Sequence, residues 1–131
     1  MKIGLFDRSR IPLLEKEMDL FVARNKAIAN NVANIATPGY KTVNVGFQHE
    51  LSNAIANSTN DVQLSEEIKN IQPAIQVDNS GTLDSGANNI NIDQQMADLA
   101  KNQLQFKMAA RLTSITLQMI DKSIIKDSID I

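Results

Sequence analysis

His49, the only histidine, and Glu66-Glu67, the only adjacent carboxylate pair, are the first residues of this 131-residue chain to test for chemistry. One histidine cannot build a multi-histidine metal site, and the absence of cysteine removes disulfides, thiolate metal ligands and thiolate nucleophiles. Without a nucleophile placed beside it, His49 reads as a surface or cap histidine. Neighbours in sequence point in different directions, so Glu66 and Glu67 solvate their segment rather than share acid and base work. Asp78-Asn79-Ser80-Gly81-Thr82-Leu83-Asp84 opens like a calcium loop, but Leu83 stands where a glycine is needed and Asn89 where a bidentate Glu belongs. Gly81 and Gly86 have phosphate-loop spacing, yet Ala87 and Asn88 replace the Lys and Ser or Thr. Both glycines therefore read as turn residues flanking an exposed Thr82-Leu83-Asp84. No catalytic, metal-binding or cofactor-binding constellation is predicted, and the chain is not expected to be an enzyme.

What remains is the chemistry of amides and apolar faces. From Ala27 to Tyr40 there is no charge. Ala27, Ala29, Ala33 and Ala36 leave a thin surface that permits close helix approach, while Asn30, Asn31 and Asn34 add donors and acceptors. Two readings fit: an intramolecular helix end solvated by its asparagines, and a contact between subunits. Thr37-Pro38-Gly39 then stops the helix, because proline disfavours the helical region for Thr37 and glycine permits a positive φ.

Two long helices must position these groups. In the first, from about Ser9 to Ala36, Leu14, Met18, Phe21, Asn25, Ile28, Val32 and Ile35 alternate at spacings of four and three, forming one stripe. Pro12 falls in the first turn, where its missing donor has no use, and Glu15, Glu17 and Asp19 precede Arg24 and Lys26 in the order the helix dipole favours. In the second, Met96, Leu99, Gln103, Phe106, Ala110, Thr113, Leu117, Ile120 and Ile124 keep the same alternation. Asn91 followed by Gln94 supplies a helix start of capping type. Leu104, Met108, Leu112, Ile115 and Met119 form a second stripe beside the first, and one partner helix cannot cover both. Other chains are expected to cover the remainder, although a helix central to a larger bundle would look the same. Met108 and Met119 suit an adaptable contact surface or a gap-filled core.

Between the helices the signals weaken. Val43, Val45 and Phe47 alternate with polar residues as one short strand-like run, Leu51 and Ile55 suggest one or two helical turns, and the polar stretch beyond reads as a long flexible or partner-ordered loop. The expected organisation is a tail over 1–8, a helix over 9–37, a turn and extended segment over 38–57, a flexible loop over 58–91 and a helix over 92–131.

Composition fits this plan. With 43% hydrophobic residues but only four Phe and one Tyr, the chain has little with which to fill a compact core. Thirteen basic and fifteen acidic residues, spread along the chain, give a net charge of -2 and no basic field for nucleic acid or a membrane surface. Asp7 and Arg8 cut the first apolar run short of a secretory signal, and no stretch reaches the ~20 apolar residues of a spanning helix.

Ala29-Asn30-Asn31-Val32-Ala33-Asn34-Ile35-Ala36-Thr37-Pro38-Gly39-Tyr40-Lys41 resembles the N-terminal signature of bacterial flagellar rod and hook axial proteins. Asn88 to Phe106 resembles the C-terminal signature of the proximal-rod branch of that family, and the short length is similar as well. The two matches cover about the first fifty and last forty-five residues. The resemblance implies a mainly α fold whose terminal helices pair as an antiparallel coiled coil, with an irregular middle holding at most a short extended or β-hairpin element. It implies a structural subunit of the basal-body rod that transmits torque around a channel, lies outside the cytoplasm, and is exported by the flagellar type III apparatus without a cleaved signal. Partners implied are other copies of the chain, the rod proteins FlgC, FlgF and FlgG, the ring-junction protein FliE and the export gate.

On this reading Leu14, Met18, Phe21, Ile28, Val32, Ile35, Met96, Leu99, Phe106, Leu117 and Ile120 hold the helix seam. Asn30, Asn31, Asn34, Thr37, Pro38, Gly39, Tyr40, Leu104, Met108, Leu112, Ile115 and Met119 meet neighbouring subunits, and the stretch from Val43 to Phe47 clasps them. FlgC, whose threonine-proline region usually carries extra residues, is the weaker alternative. From another class, a soluble two-helix adaptor or chaperone holding one partner helix would use the double stripe equally well.

Overall fold

The structure of the chain, a computed structural model, describes residues 10–81 and 88–129. The expectations for the 1–8 tail, for Thr82-Leu83-Asp84 and for Gly86 fall outside those residues. The fold is mainly α, as the periodicities predict: α1 Arg10–Ala33, β1 Val43–Gly46, α2 Gln48–Asn57, α3 Asp61–Asn70, β2 Ala74–Val77 and α4 Ile92–Ile129.

The long helices α1 and α4 run antiparallel, because Phe21 lies against Asn102 while Asn31, further along α1, lies against the earlier Gln95. Asn91 caps α4 by accepting from Gln94 N at 3.1 Å. Continuing the pairing brings Arg10 opposite roughly residue 113, so about 15 residues of α4, on the order of 20 Å at ~1.5 Å per residue, extend beyond the first described residue of α1. The first helix stops at Ala33, short of the 9–37 expected from sequence, and tightens into a turn in which Thr37 N donates to Asn34 O at 2.9 Å. Gly39 follows at φ 74°, the left-handed conformation that glycine adopts without strain.

The segment expected to be a flexible loop over 58–91 is instead structured for much of its length. Asn60 caps α3 by accepting from Gln63 N at 2.9 Å. Leu64, Ile68 and Ile71 then recur at helical spacing, with Ile68 and Ile71 buried. Strand β2 pairs antiparallel with β1 in the register Val43 with Val77 through Gly46 with Ala74, so α2 and α3 fill a connection between two strands rather than a tight hairpin turn. Leu20 of α1, Phe47, Ala54 of α2, Ile68 of α3 and Ile71 form the buried core, flanked by Leu13, Val45, Leu51 and Leu64. Helix α1 is thus shared, with Leu20 facing this small core and Phe21 and Ile28 buried nearer α4.

Candidate functional site

The neutral end of α1 is organised around Asn31, which is 0% exposed. The turn at Thr37-Pro38-Gly39 folds the chain back so that β1 passes beside the helix it has just left. Val43 N then donates to Asn31 Oδ1 at 2.9 Å, and Asn31 Nδ2 donates back to Val43 O at 2.9 Å. A carboxamide has the donor and acceptor of a peptide unit, so this side chain pairs with β1 as one residue of a third strand would. A second bond runs from Asn31 Nδ2 to Gln95 Oε1 of α4 at 2.8 Å, and Tyr40 Oη donates to Asn31 Oδ1 at 3.3 Å. Arg24, two turns earlier, donates from Nε to Val45 O at 2.7 Å. Burial pushes its guanidinium below the ordinary value, and nearby Asp98 pulls it back up. Together Asn31 and Arg24 occupy the edge of β1 that faces α1.

Two consecutive asparagines before α4 complete the knot. Asn88 Nδ2 donates to Asn34 O, Ile35 O and Thr37 O at 3.1, 2.9 and 3.0 Å, tying down the turn that follows α1, where Asn34 O and Thr37 O also accept from Thr37 N and Tyr40 N. Asn89 Oδ1 accepts from Thr42 N and Thr42 Oγ1, both at 2.8 Å, and its Nδ2 reaches Asp78 O at 3.2 Å. The two segments that resemble family signatures are therefore bonded to each other within one chain. For Asn31 this corrects the reading as a subunit contact: the returning strand and α4 use its whole amide. Tyr40 and Asn34 are half-buried, while Asn30, Thr37, Pro38 and Gly39 are exposed.

Along α4 the buried line differs from the apolar seam read from sequence. Gln95, Asn102 and Ala109, seven residues apart, are 4%, 5% and 4% exposed. Asn102 Nδ2 donates to Phe21 O at 2.8 Å, and its Oδ1 is buried with no partner among the described residues. The expected seam lies one residue further on: Met96 and Leu117 are exposed, Phe106 is exposed at its margin, and Leu99 and Ile120 are half-buried. On α1, Leu14, Met18 and Val32 are half-buried and Ile35 is exposed. The second stripe is open, with Leu104, Met108 and Leu112 each more than half exposed and Ile115 and Met119 also exposed. The signal for the inward line was polar, and an apolar periodicity search passes over it.

The remaining sequence candidates take ordinary structural places. His49 is exposed in the first turn of α2. Glu66 pairs with Lys69 at 3.2 Å and Glu67 accepts from Gln63 Nε2 at 3.1 Å, so the adjacent carboxylates take separate partners. A polar cavity of about 330 Å³ between α1, the sheet and α4 is lined by Arg24, Asn44, Gln76, Asp98, Lys101 and Gln105. Among the described residues no three His, Asp or Glu side chains gather to hold a metal, and no helix is long and apolar enough to cross a membrane.

No family model matches the chain. Similar curated proteins share one description, flagellar basal body rod protein FlgB. That of Borreliella burgdorferi is 27% identical over 116 residues, covering 79% of this chain and 85% of the relative. The Borrelia hermsii protein is 29% identical over 119 residues, covering 81% and 87%. The Bacillus subtilis protein is 32% identical over 100 residues, covering 72% and 76%. These matches extend over most of both chains, and they agree with an antiparallel pair of terminal helices knotted by asparagines from both signature segments, so the chain belongs to the FlgB family of flagellar basal-body rod proteins.

Proposed function

We propose that this chain is a subunit of the proximal rod, added to the growing axis through α1 and α4 so that its helix pair packs with those of neighbours into a hollow shaft. The shaft transmits torque, leaves a passage for exported subunits, and involves no bond chemistry. One observation carries the proposal: α4 shows Leu104, Met108, Leu112, Ile115 and Met119 to the outside along its whole middle, and α1 can cover only one side of it. An apolar face of that length is costly in water and useful in a polymer. The end of α4 beyond Arg10 adds Leu117 and Ile124 to the same demand.

On this reading the subunit acts outside the cytoplasm in the basal body after export by the flagellar type III apparatus without a cleaved signal. It meets other copies of itself, FlgC, FlgF, FlgG, FliE and the export gate. The exposed Asn30, Thr37, Pro38 and Gly39 lie at one end of the helix pair, where a stacked neighbour would meet them. The test is photo-crosslinking in living cells from Val32, Met108 and Leu117, followed by mass spectrometry of purified basal bodies. Adducts to rod proteins and to the chain itself are expected. A discrete cytoplasmic adduct, with the chain missing from basal bodies, would replace the rod reading with that of an adaptor.

A further inference from the structure

The apolar pattern of α4 favours a different facing from the one the helix adopts. Met96, Gln103, Ala110 and Leu117 lie one residue beyond the buried line Gln95, Asn102 and Ala109, and one residue is about 100° around a helix. Leu99 and Thr113 are half-buried beside both lines, while Phe106 is left exposed, so α4 is turned by less than that angle from the orientation that would bury its seam best. The turn leaves open a groove of about 480 Å³ between the long helices, lined by Asn25, Ala29, Val32, Ala33, Met96 and Gln103 among others.

Two polar contacts favour the turned orientation, on a line that also buries Ala109. Gln95 accepts from Asn31 Nδ2 at 2.8 Å, and Asn102 donates to the Phe21 carbonyl at 2.8 Å. Asn102 does this with a buried and unpartnered Oδ1, a destabilising feature that a leucine at 102 would lack. Phe21 O also has its place within α1, so the bond adds direction more than it satisfies a need. A single buried amide in a helix seam is a known way of selecting one packing over others at some cost in stability.

We propose that Gln95 and Asn102 are positioning residues that fix the facing of α4 on α1, keeping the Val32–Met96 groove open and aiming the Leu104–Met119 stripe at its partners. The second half of this statement rests on the rod reading; the first does not. Without the two amides α4 rolls, Met96 packs onto Val32, and Gln105 turns towards solvent.

The chain has no cysteine, so single cysteines report accessibility cleanly. Met96→Cys and Gln105→Cys are made separately in the parent and in the Asn102→Ala variant, which removes the amide without adding a large apolar group to the buried line, and maleimide labelling is timed on the purified full chain. In the parent, position 96 labels faster than position 105; in the variant the order inverts. A merely structural hydrogen bond would lower the melting point and leave that order as it was. Gln95→Ala, made with the same probes, shifts the ratio in the same direction. Unchanged labelling order in both variants overturns the assignment. Swimming of the Asn102→Ala strain is the separate readout for the rod: inverted labelling with normal swimming leaves the facing role intact and removes the claim that assembly depends on it.

Discussion

Replacing Asn31 by leucine tests whether one amide ties the two signature segments together. The substitution keeps the volume roughly constant and removes every polar atom. It leaves the Val43 N–H, the Val43 carbonyl and Gln95 Oε1 without their partner, while Tyr40 Oη, half-buried, can turn to water. Each orphaned group that stays buried costs about 1–3 kcal/mol. Three such groups, two of them on half-buried Val43, give about 3–6 kcal/mol, and burying leucine returns about 1.5–3 kcal/mol. A net loss of roughly 1.5–3 kcal/mol lowers the melting temperature of a domain this size by on the order of 10 °C. Circular dichroism melting of the purified chain measures it, with Asn30→Ala as control, because Asn30 is exposed and only its backbone carbonyl is used. Asn31→Asp sharpens the test. The introduced carboxylate would face Val43 O and Gln95 Oε1, both acceptors, so its folded-state pKa must rise above the unfolded value. Stability is then retained at low pH, where the group is protonated, and lost as pH rises past the ordinary carboxylate range. A leucine variant melting within 2 °C of the parent on this ~10 °C scale, or an aspartate variant no weaker at pH 7 than at pH 4, would refute the strand-mimicking role.

Asn88→Ala releases the turn that follows α1 and should cost about 1–3 kcal/mol in urea unfolding, against almost nothing for exposed Asn79→Ala. Gly39→Ala meets no atom within 4 Å, so its loss of about 1–2 kcal/mol comes from the backbone at φ 74° alone, and Gly39→Asn should lose less. Phe47→Ala empties the small core and should cost about 3–5 kcal/mol, enough to broaden or abolish cooperative melting. Lys69 with Glu66 is the only ion pair among the described residues and is solvent-exposed, so adding salt to about 1 M should leave the melting temperature nearly unchanged by charge screening. Met108→Asp and Leu112→Asp should melt like the parent, since both sites are more than half exposed, yet abolish swimming.

The middle of the chain shows what a sequence reading can pass over. Asn60 followed by Gln63 is the same start signal as Asn91 followed by Gln94, and the structure uses both as helix caps. Polar composition around it masked the first. Ile75 and Val77 alternate like a strand, but β2 gains meaning only when Val43 and Val45 arrive from a segment separated from it by two helices. Strand pairing at that distance depends on how α2 and α3 pack, and no local pattern states it.

Taken alone, the sequence determined the two long helices, because apolar residues at three-and-four spacing, a capping asparagine and the Thr37-Pro38-Gly39 stop act within a few residues of themselves. It also determined that apolar surface exceeded what one partner helix covers. The tertiary structure alone decided what the asparagines do and which way α4 faces. An amide side chain reads the same in a sequence whether it meets water, a neighbour or a returning strand, since its partners are set by the fold rather than by spacing. Asn31 meets Val43 and Gln95 only because the chain reverses at Gly39 and α4 comes back antiparallel, and those bonds turn the apolar seam partly outward.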